Sequence, residues 1–293
     1  MNTTGPLDPP AHTLSIAPDL CRIASEVAVL AGERIRSLRE IGVSVAASKT
    51  SAIDIVTEAD RESEQLIVEA LRAARPDDGI LGEEGTGIEG SSGVDWVIDP
   101  IDGTANYLYD LPAYAVSIAA TVSAPVSALV SAASGIGTAT EDGRRTIAGA
   151  VFNPRTGELF EAWAGGGSRL NGAALSISGQ RDLSQSLVGT GFGYTVERKR
   201  EQLEMLSRAL PRVRDIRRFG SAAYDLCMLA AGRLDAYFER GLQPWDYAAG
   251  VLIAREAGAA ILGRDNATRP GTSLLFAADP ALVEQLRSVV LGD

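Results

Sequence analysis

The densest run of chemically capable residues is Asp99-Pro100-Ile101-Asp102-Gly103-Thr104, which follows the apolar stretch Trp96-Val97-Ile98. A buried strand that stops in two carboxylates, a glycine and a hydroxyl suits a hard cation better than it suits a core. Pro100 cannot donate to a sheet ladder and holds its φ fixed, so the strand is predicted to end near Asp99. The chain must then turn. That turn brings Asp102 back toward Asp99, lets the Gly103 backbone approach a ligand, and leaves Ile101 to offer its carbonyl. The same Asp and Gly also satisfy a strand-ending turn that holds nothing.

Other acids repeat the pattern. Ile80-Leu81 runs into Gly82-Glu83-Glu84-Gly85, the segment 235–239 ends in Glu239, and Trp245-Asp246 opens a helical stretch containing Ala248, Ala249 and Gly250. Asp246 reads as the N-cap of that helix, and the small residues behind it allow close packing. Glu83, Asp99, Asp102 and Asp246 thus all sit at strand ends or helix starts, where open α/β sheets gather ligand sites. Packed carboxylates need cations to offset their repulsion, so two or three magnesium ions are expected, with manganese the alternative. Such a cluster fits phosphoryl chemistry, with the Gly103 and Thr104 amides toward phosphate oxygens. A structural calcium site is the competing reading from charge alone.

Composition narrows the chemistry. The chain has 293 residues, a net charge of -11, one histidine (His12) and two cysteines, Cys21 and Cys227. With no histidine outside the amino-terminal segment, a histidine base, an ordinary zinc site and a histidine-dependent triad are all excluded. The acidic balance argues against nucleic acid as a partner. No run is long and apolar enough for a membrane span, and 1–11 lacks a signal-peptide pattern, so a cytoplasmic protein is expected. The glycine run 165–167 is not followed by the Lys-Ser/Thr pair of a phosphate-cradling loop.

The elements that must position these residues follow from periodicity. Leu20, Ile23, Val27, Leu30, Ala31 and Leu38 predict a helix over 19–39, and 41–47 reads as a link. Thr57 is a natural N-cap with Asp60 three residues on, opening a second helix that Pro76 ends. Strands are predicted at 80–81, 96–99, 113–122, 147–152 and 158–163, with 86–93 a loop and 105–108 one helical turn. Beyond these, strands at 186–191, 213–218, 235–239 and 274–277 alternate with helices at 197–209, 221–231, 246–256 and 280–290. The chain therefore reads as a disordered tail at 1–15, an α+β half at 16–175 carrying most metal ligands, and an α/β half at 176–293 carrying Asp246.

Three segments resemble the signatures of the inositol monophosphatase family: Gly82-Glu83-Glu84, the run from Trp96 to Tyr107, and Trp245-Asp246-Tyr247-Ala248-Ala249-Gly250. The resemblance implies a layered αβαβα sandwich of the sugar-phosphatase type, a homodimer, magnesium dependence and inhibition by lithium. It implies Glu83, Asp99, the Ile101 carbonyl, Asp102 and Asp246 as metal ligands, and Thr104, supported by Asp60 and Glu83, as the hydroxyl that orients the attacking water. Lys49 resembles a basic residue near the metal and phosphate. Gly220-Ser221-Ala222 and Glu239 match positions that contact inositol hydroxyls, which implies a phosphorylated polyol or sugar as substrate, inositol 1-phosphate first. Fructose 1,6-bisphosphate, histidinol phosphate, NADP and adenosine 3′,5′-bisphosphate are alternatives, and some bacterial members bind transcription or RNA-processing complexes. Two features depart from the pattern. Ala105 stands where a second threonine is common, and 123–140 reads as an insertion of about twenty residues.

Overall fold

The computed structural model describes residues 16–42, 45–48, 55–123 and 139–293. The tail, Lys49 and most of the expected insertion at 123–140 lie outside the described residues. In the first part of the chain, α1 (Ala17–Ile41) is followed by a hairpin of β1 (Val45–Ser48) and β2 (Ile55–Thr57), then α2 (Glu58–Ala74), β3 (Gly79–Gly82), β4 (Gly87–Ile88) and β5 (Val94–Asp102). A one-turn helix, α3 (Thr104–Leu108), leads to β6 (Ala115–Ser123), β7 (Arg144–Asn153), β8 (Glu158–Trp163), β9 (Ser168–Leu170) and β10 (Ala173–Ala174). The rest alternates: β11 (Leu187–Thr190), α4 (Val196–Ala209), β12 (Asp215–Arg217), α5 (Ala222–Ala230), β13 (Ala236–Glu239), α6 (Pro244–Glu256), β14 (Ala260–Leu262), β15 (Leu275–Ala278) and α7 (Val283–Leu291).

Strands β3 to β10 form an eight-stranded sheet in the order β10-β9-β8-β7-β6-β5-β3-β4, antiparallel except where β3 runs parallel to β5. The second sheet has five strands in the order β12-β11-β13-β15-β14, parallel at β12-β11-β13 and antiparallel beyond. Four apolar clusters separate five layers. Trp96, Ile98, Ile118 and Ala150 face α1 and α2, while Val97, Ala119 and Val151, one residue out of phase, face α5 and α6. Tyr237, Leu275 and Ala277 meet the other side of α5 and α6; Ala236, Phe238 and Phe276 face α4 and α7. Both sheets are covered on both faces, which explains why their strands read as continuous apolar runs instead of alternating ones. The result is the expected αβαβα sandwich.

Several local expectations need correcting. The 41–47 link contains β1, which pairs with β2. The 86–93 loop holds the two-residue strand β4, and the glycine run before Ser168 turns the chain into β9. Short, glycine-flanked strands of this kind carry too few apolar positions to show a period. Two further differences, at Pro100 and at Asp246, bear on the site itself.

Candidate active site

Strand β5 does not stop at Asp99. It continues through Pro100 to Asp102, because the ladder with β6 slips by one residue: Asp99 pairs with Ser117 and Asp102 with Ala115. Residues three apart on a regular strand face opposite sides of a sheet; one extra residue, a β-bulge, restores them to the same side. Pro100 lies within that irregular segment, where a missing N–H costs no ladder bond. The Asp99 carboxylate accepts from the Ile101 amide at 3.0 Å, which fixes the bend. Gly103 follows with φ +96, and a Cβ there would lie 2.9 Å from the Ala113 carbonyl oxygen, so the position demands glycine.

Glu83 enters from the loop after β3. That loop is pinned by buried Glu64 of α2, whose carboxylate accepts from the Glu84 amide (2.8 Å), the Thr86 amide (3.1 Å) and the Thr86 hydroxyl (2.6 Å). The Glu83 carboxyl shares a hydrogen bond with Asp99. The predicted capping box is present at α2: the Thr57 side chain accepts from the Asp60 amide, and Asp60 accepts from the Thr57 amide at 2.8 Å. The other Asp60 oxygen accepts from the Thr104 hydroxyl at 3.1 Å, which is also 3.1 Å from the Ile101 carbonyl. A residue that caps a helix on one side thus holds a site hydroxyl on the other.

From the second half of the chain come α5, β13 and α6. Asp102 Oδ2 accepts from the Ser221 hydroxyl at 2.8 Å and the Ala223 amide at 2.7 Å, so this carboxylate sits at the positive end of α5. Gly220 and Ala222 flank Ser221 along the same wall. Asp246 is not the N-cap of α6. Gln243 is, and Asp246 stands three residues in, reaching back to accept from the Gln243 amide at 2.7 Å. Sequence alone misplaced it because Pro244 and Trp245, which begin the helix, carry no polar capping group. Glu239 ends β13, where it accepts from the buried Tyr237 hydroxyl at 2.6 Å.

Carboxylate oxygens of Asp99, Asp102 and Asp246 all lie within 4.8 Å of one another. Burial raises the carboxyl of Asp99 well above its ordinary range, and the charges of Glu83, Asp102 and Asp246 raise it further. Asp246 is raised by the same two causes, burial and its acidic neighbours Asp102 and Glu83. Burial pushes Asp102 up to about 6 against the bonds from Ser221 and the α5 amides. Asp60 is likewise pushed up to about 6 by burial, and Glu239 to about 7. Clustered oxygen donors whose charged forms are unstable without positive charge fit a hard divalent cation. Asp99, Asp102 and Asp246 could hold it between them, and Glu83 and Ile101 border the same cavity of about 470 Å³. Gly103, Thr104, Gly220, Ser221, Ala222 and Glu239 border the same space.

Two residues here escaped the sequence reading. Arg218 also borders this cavity, close enough to lower the carboxyls of Asp102 and Glu239. Asp225 is fully buried in α5, and among the described residues neither of its carboxylate oxygens has a hydrogen-bond partner. Its position one turn after Ser221 was the only available signal, and an acid within an apolar helical run does not by itself indicate a ligand.

The family model described as inositol monophosphatase family matches residues 18–290. The chain belongs to the inositol monophosphatase family. It is 40% identical over 296 residues to inositol-1-monophosphatase SuhB of Mycobacterium tuberculosis, covering 97% of this chain and 94% of that one. It is 38% identical over 244 residues to Nus factor SuhB of Vibrio cholerae, covering 83% and 84%. Among solved structures, the extragenic suppressor protein suhB of Bartonella henselae superposes with a TM-score of 0.79 at 32% identity, over 93% of this chain and 98% of that one. Mycobacterium tuberculosis SuhB superposes with a TM-score of 0.70 at 37% identity, over 98% of both. Membership makes the chain a phosphatase, an enzyme of the metal-dependent inositol monophosphatase family. No helix among the described residues is long and apolar enough to cross a membrane.

Proposed function

We propose that the chain hydrolyses a phosphorylated polyol, inositol 1-phosphate first, with magnesium held by Glu83, Asp99, Asp102, Asp246 and the Ile101 carbonyl. The observation that carries this reading is the convergence of the Asp99, Asp102 and Asp246 carboxylates beside a hydroxyl, Thr104, that is itself anchored to a buried acid. Bound there, magnesium supplies the positive charge that polarises the ester and acidifies water.

The chain's own groups do the rest. Ionised Asp60 accepts the single Thr104 hydroxyl proton, which leaves the Thr104 oxygen free to accept from the attacking water and aim it. The Gly103 and Thr104 amides open α3 toward the phosphate oxygens. Glu239 faces the polyol, where a carboxylate accepts from two neighbouring hydroxyls. Asp246, held by the Gln243 amide, lies on the leaving-group side. The expected assembly is a cytoplasmic homodimer, and the expected inhibitor is lithium.

The test is a panel of phosphate esters with and without magnesium, then with lithium. Magnesium-dependent phosphate release with inositol 1-phosphate among the best substrates supports the reading, and no release from any ester overturns it. The relatives named Nus factor SuhB favour a second reading, a binding role in a transcription complex alongside catalysis. It requires that a variant without phosphatase activity still bind that complex. A parent protein that does not bind that complex removes this reading.

A further inference from the structure

Asn106 stands two residues after Thr104 in α3 and is buried, 6% exposed. Its side-chain nitrogen donates to the Ala113 carbonyl at 2.6 Å and to the Phe219 carbonyl at 2.7 Å, with the Gly220 carbonyl at 3.5 Å. An amide nitrogen carries two protons, so the two short bonds use both. One acceptor lies just before β6, seven residues on. The other lies 113 residues away, in the turn before α5.

The turns joined by this amide are two sides of one cavity. Gly103 and Thr104 border it from the first half of the chain, and Gly220, Ser221 and Ala222 from the second. Their backbones are in contact. A Cβ at Gly103 would lie 3.2 Å from the Gly220 carbonyl oxygen and 3.3 Å from Ser221 Cβ. One at Gly220, where φ is +88, would lie 3.3 Å from Asn106 Nδ2. Two glycines therefore let the turns approach, and the Asn106 amide bonds across the contact.

The same segment is held from a second direction. The Ser221 hydroxyl and the Ala223 amide donate to Asp102, which fixes the start of α5 on a metal-side carboxylate. Those bonds begin at Ser221, whereas Asn106 holds Phe219 and Gly220, the residues that bring the chain into the helix. Without the amide, α5 keeps its bonds to Asp102 while the turn loses its tie to α3. Buried bonds of this kind meet little competition from water, so losing them frees the turn to move toward solvent. A displacement of about 1 Å between reacting partners costs about a hundredfold in rate.

We infer that Asn106 is a positioning residue, setting the separation between the turn that carries Thr104 and the wall at 220–222, and through it the discrimination between alcohols. Asn106 touches neither metal nor ester. It acts through the Phe219 and Gly220 carbonyls. An alcohol whose hydroxyls meet the wall feels a shift of the turn, and one without hydroxyls does not. This inference rests on the reading that the alcohol faces Gly220, Ser221 and Ala222.

The experiment uses the full-length protein at fixed free magnesium, with inositol 1-phosphate and phenyl phosphate, whose ring bears no hydroxyl. Asn106→Leu keeps the branched shape and removes both donors. Its ratio of kcat/KM values, inositol 1-phosphate over phenyl phosphate, should fall at least about tenfold from the parent ratio. Asn106→Ala leaves room for water to reach the freed carbonyls, so it should fold if the leucine variant does not, and show a smaller fall. A merely structural role lowers the amount of active protein and both esters alike, so an unchanged ratio overturns the inference. Hydrogen exchange reads the tie without substrate: amides over 219–223 should exchange about tenfold faster in the variant, with α1 unchanged. Unchanged exchange there also overturns it. A parent that releases no phosphate, or shows no preference between the esters, counts against the proposed activity or its polyol substrate, while exchange over 219–223 still decides the tie.

Discussion

Thr104 and Asp60 are 44 residues apart in the chain, yet Thr104 Oγ1 donates to Asp60 Oδ1 across 3.1 Å, and the opposite oxygen of that carboxylate caps α2. The hydroxyl is therefore aligned by a helix end that packs on the first sheet, not by its own loop. A side chain fixed at both oxygens loses little entropy when substrate binds, which is what a group that aims water requires.

Asp60→Asn tests this link. The Thr57 amide keeps the one oxygen of the Asn side chain, so its NH2 faces Thr104 and cannot accept that proton, and kcat should fall about a hundredfold or more with KM nearly unchanged. The parent should lose activity as pH drops through the Asp60 value, about 6 without metal and lower when cations are bound, because protonated Asp60 no longer accepts. A pH profile of kcat reads this directly. An acid limb that persists unchanged in Asp60→Asn assigns it to another group.

The acid cluster makes an opposite prediction for stability. Without metal, Asp99, Asp102 and Asp246 hold protons in the folded state at pH values where the unfolded chain, with carboxyls near 3.9, has lost them. Stability must therefore fall as pH rises from about 4 through about 6 and beyond. Thermal unfolding in chelator should show that fall, and magnesium should reverse it. Asp99→Asn should unfold later than the parent without metal, gain less from magnesium, and release phosphate at least about a hundredfold more slowly. Near-normal turnover in this variant would end the metal-cluster account.

Close packing between α5 and α6 is checked at Gly250. A Cβ there would lie 2.8 Å from Leu226 Cβ, closer than real side chains stand. Overpacking costs about 1–3 kcal/mol, set against roughly 1 kcal/mol gained in helix propensity. Gly250→Ala should thus lower stability by on the order of 1 kcal/mol in urea unfolding. Because α6 carries Asp246, magnesium affinity should weaken in step. A variant as stable as the parent would show that the two helices can move apart freely.

Glu239 should govern which alcohol is accepted, not how metal is bound. Glu239→Gln keeps the shape but removes charge, so the ranking of esters should change while the magnesium dependence does not. Tyr237→Phe removes the 2.6 Å bond that lowers the Glu239 carboxyl and should move its titration, near 7 in the parent, upward. An unchanged ranking across the ester panel would remove Glu239 from the substrate contacts.

Much of this was legible in the chain itself. The helical stripe from Leu20, the capping box at Thr57 and the apolar runs that became β5, β6 and β7 are local patterns, and local sterics decide them. The acids at strand ends, with no histidine beyond position 12, already pointed to oxygen-ligated metal chemistry. What sequence could not show is how the carboxylates converge. Asp99 and Asp102 share a face only because β5 bulges against β6, a pairing between strands. Asp102 is capped onto α5 by Ser221, 119 residues away, and Glu83 is set by a loop that Glu64 holds from another element. Arg218 became a neighbour of the site through the turn that follows β12, whose own pattern gives no sign of it. Residue types determine which chemistry is available, since charge and hydrogen-bonding capacity belong to side chains. Distances between side chains on different elements belong to packing, and only the tertiary structure decides them.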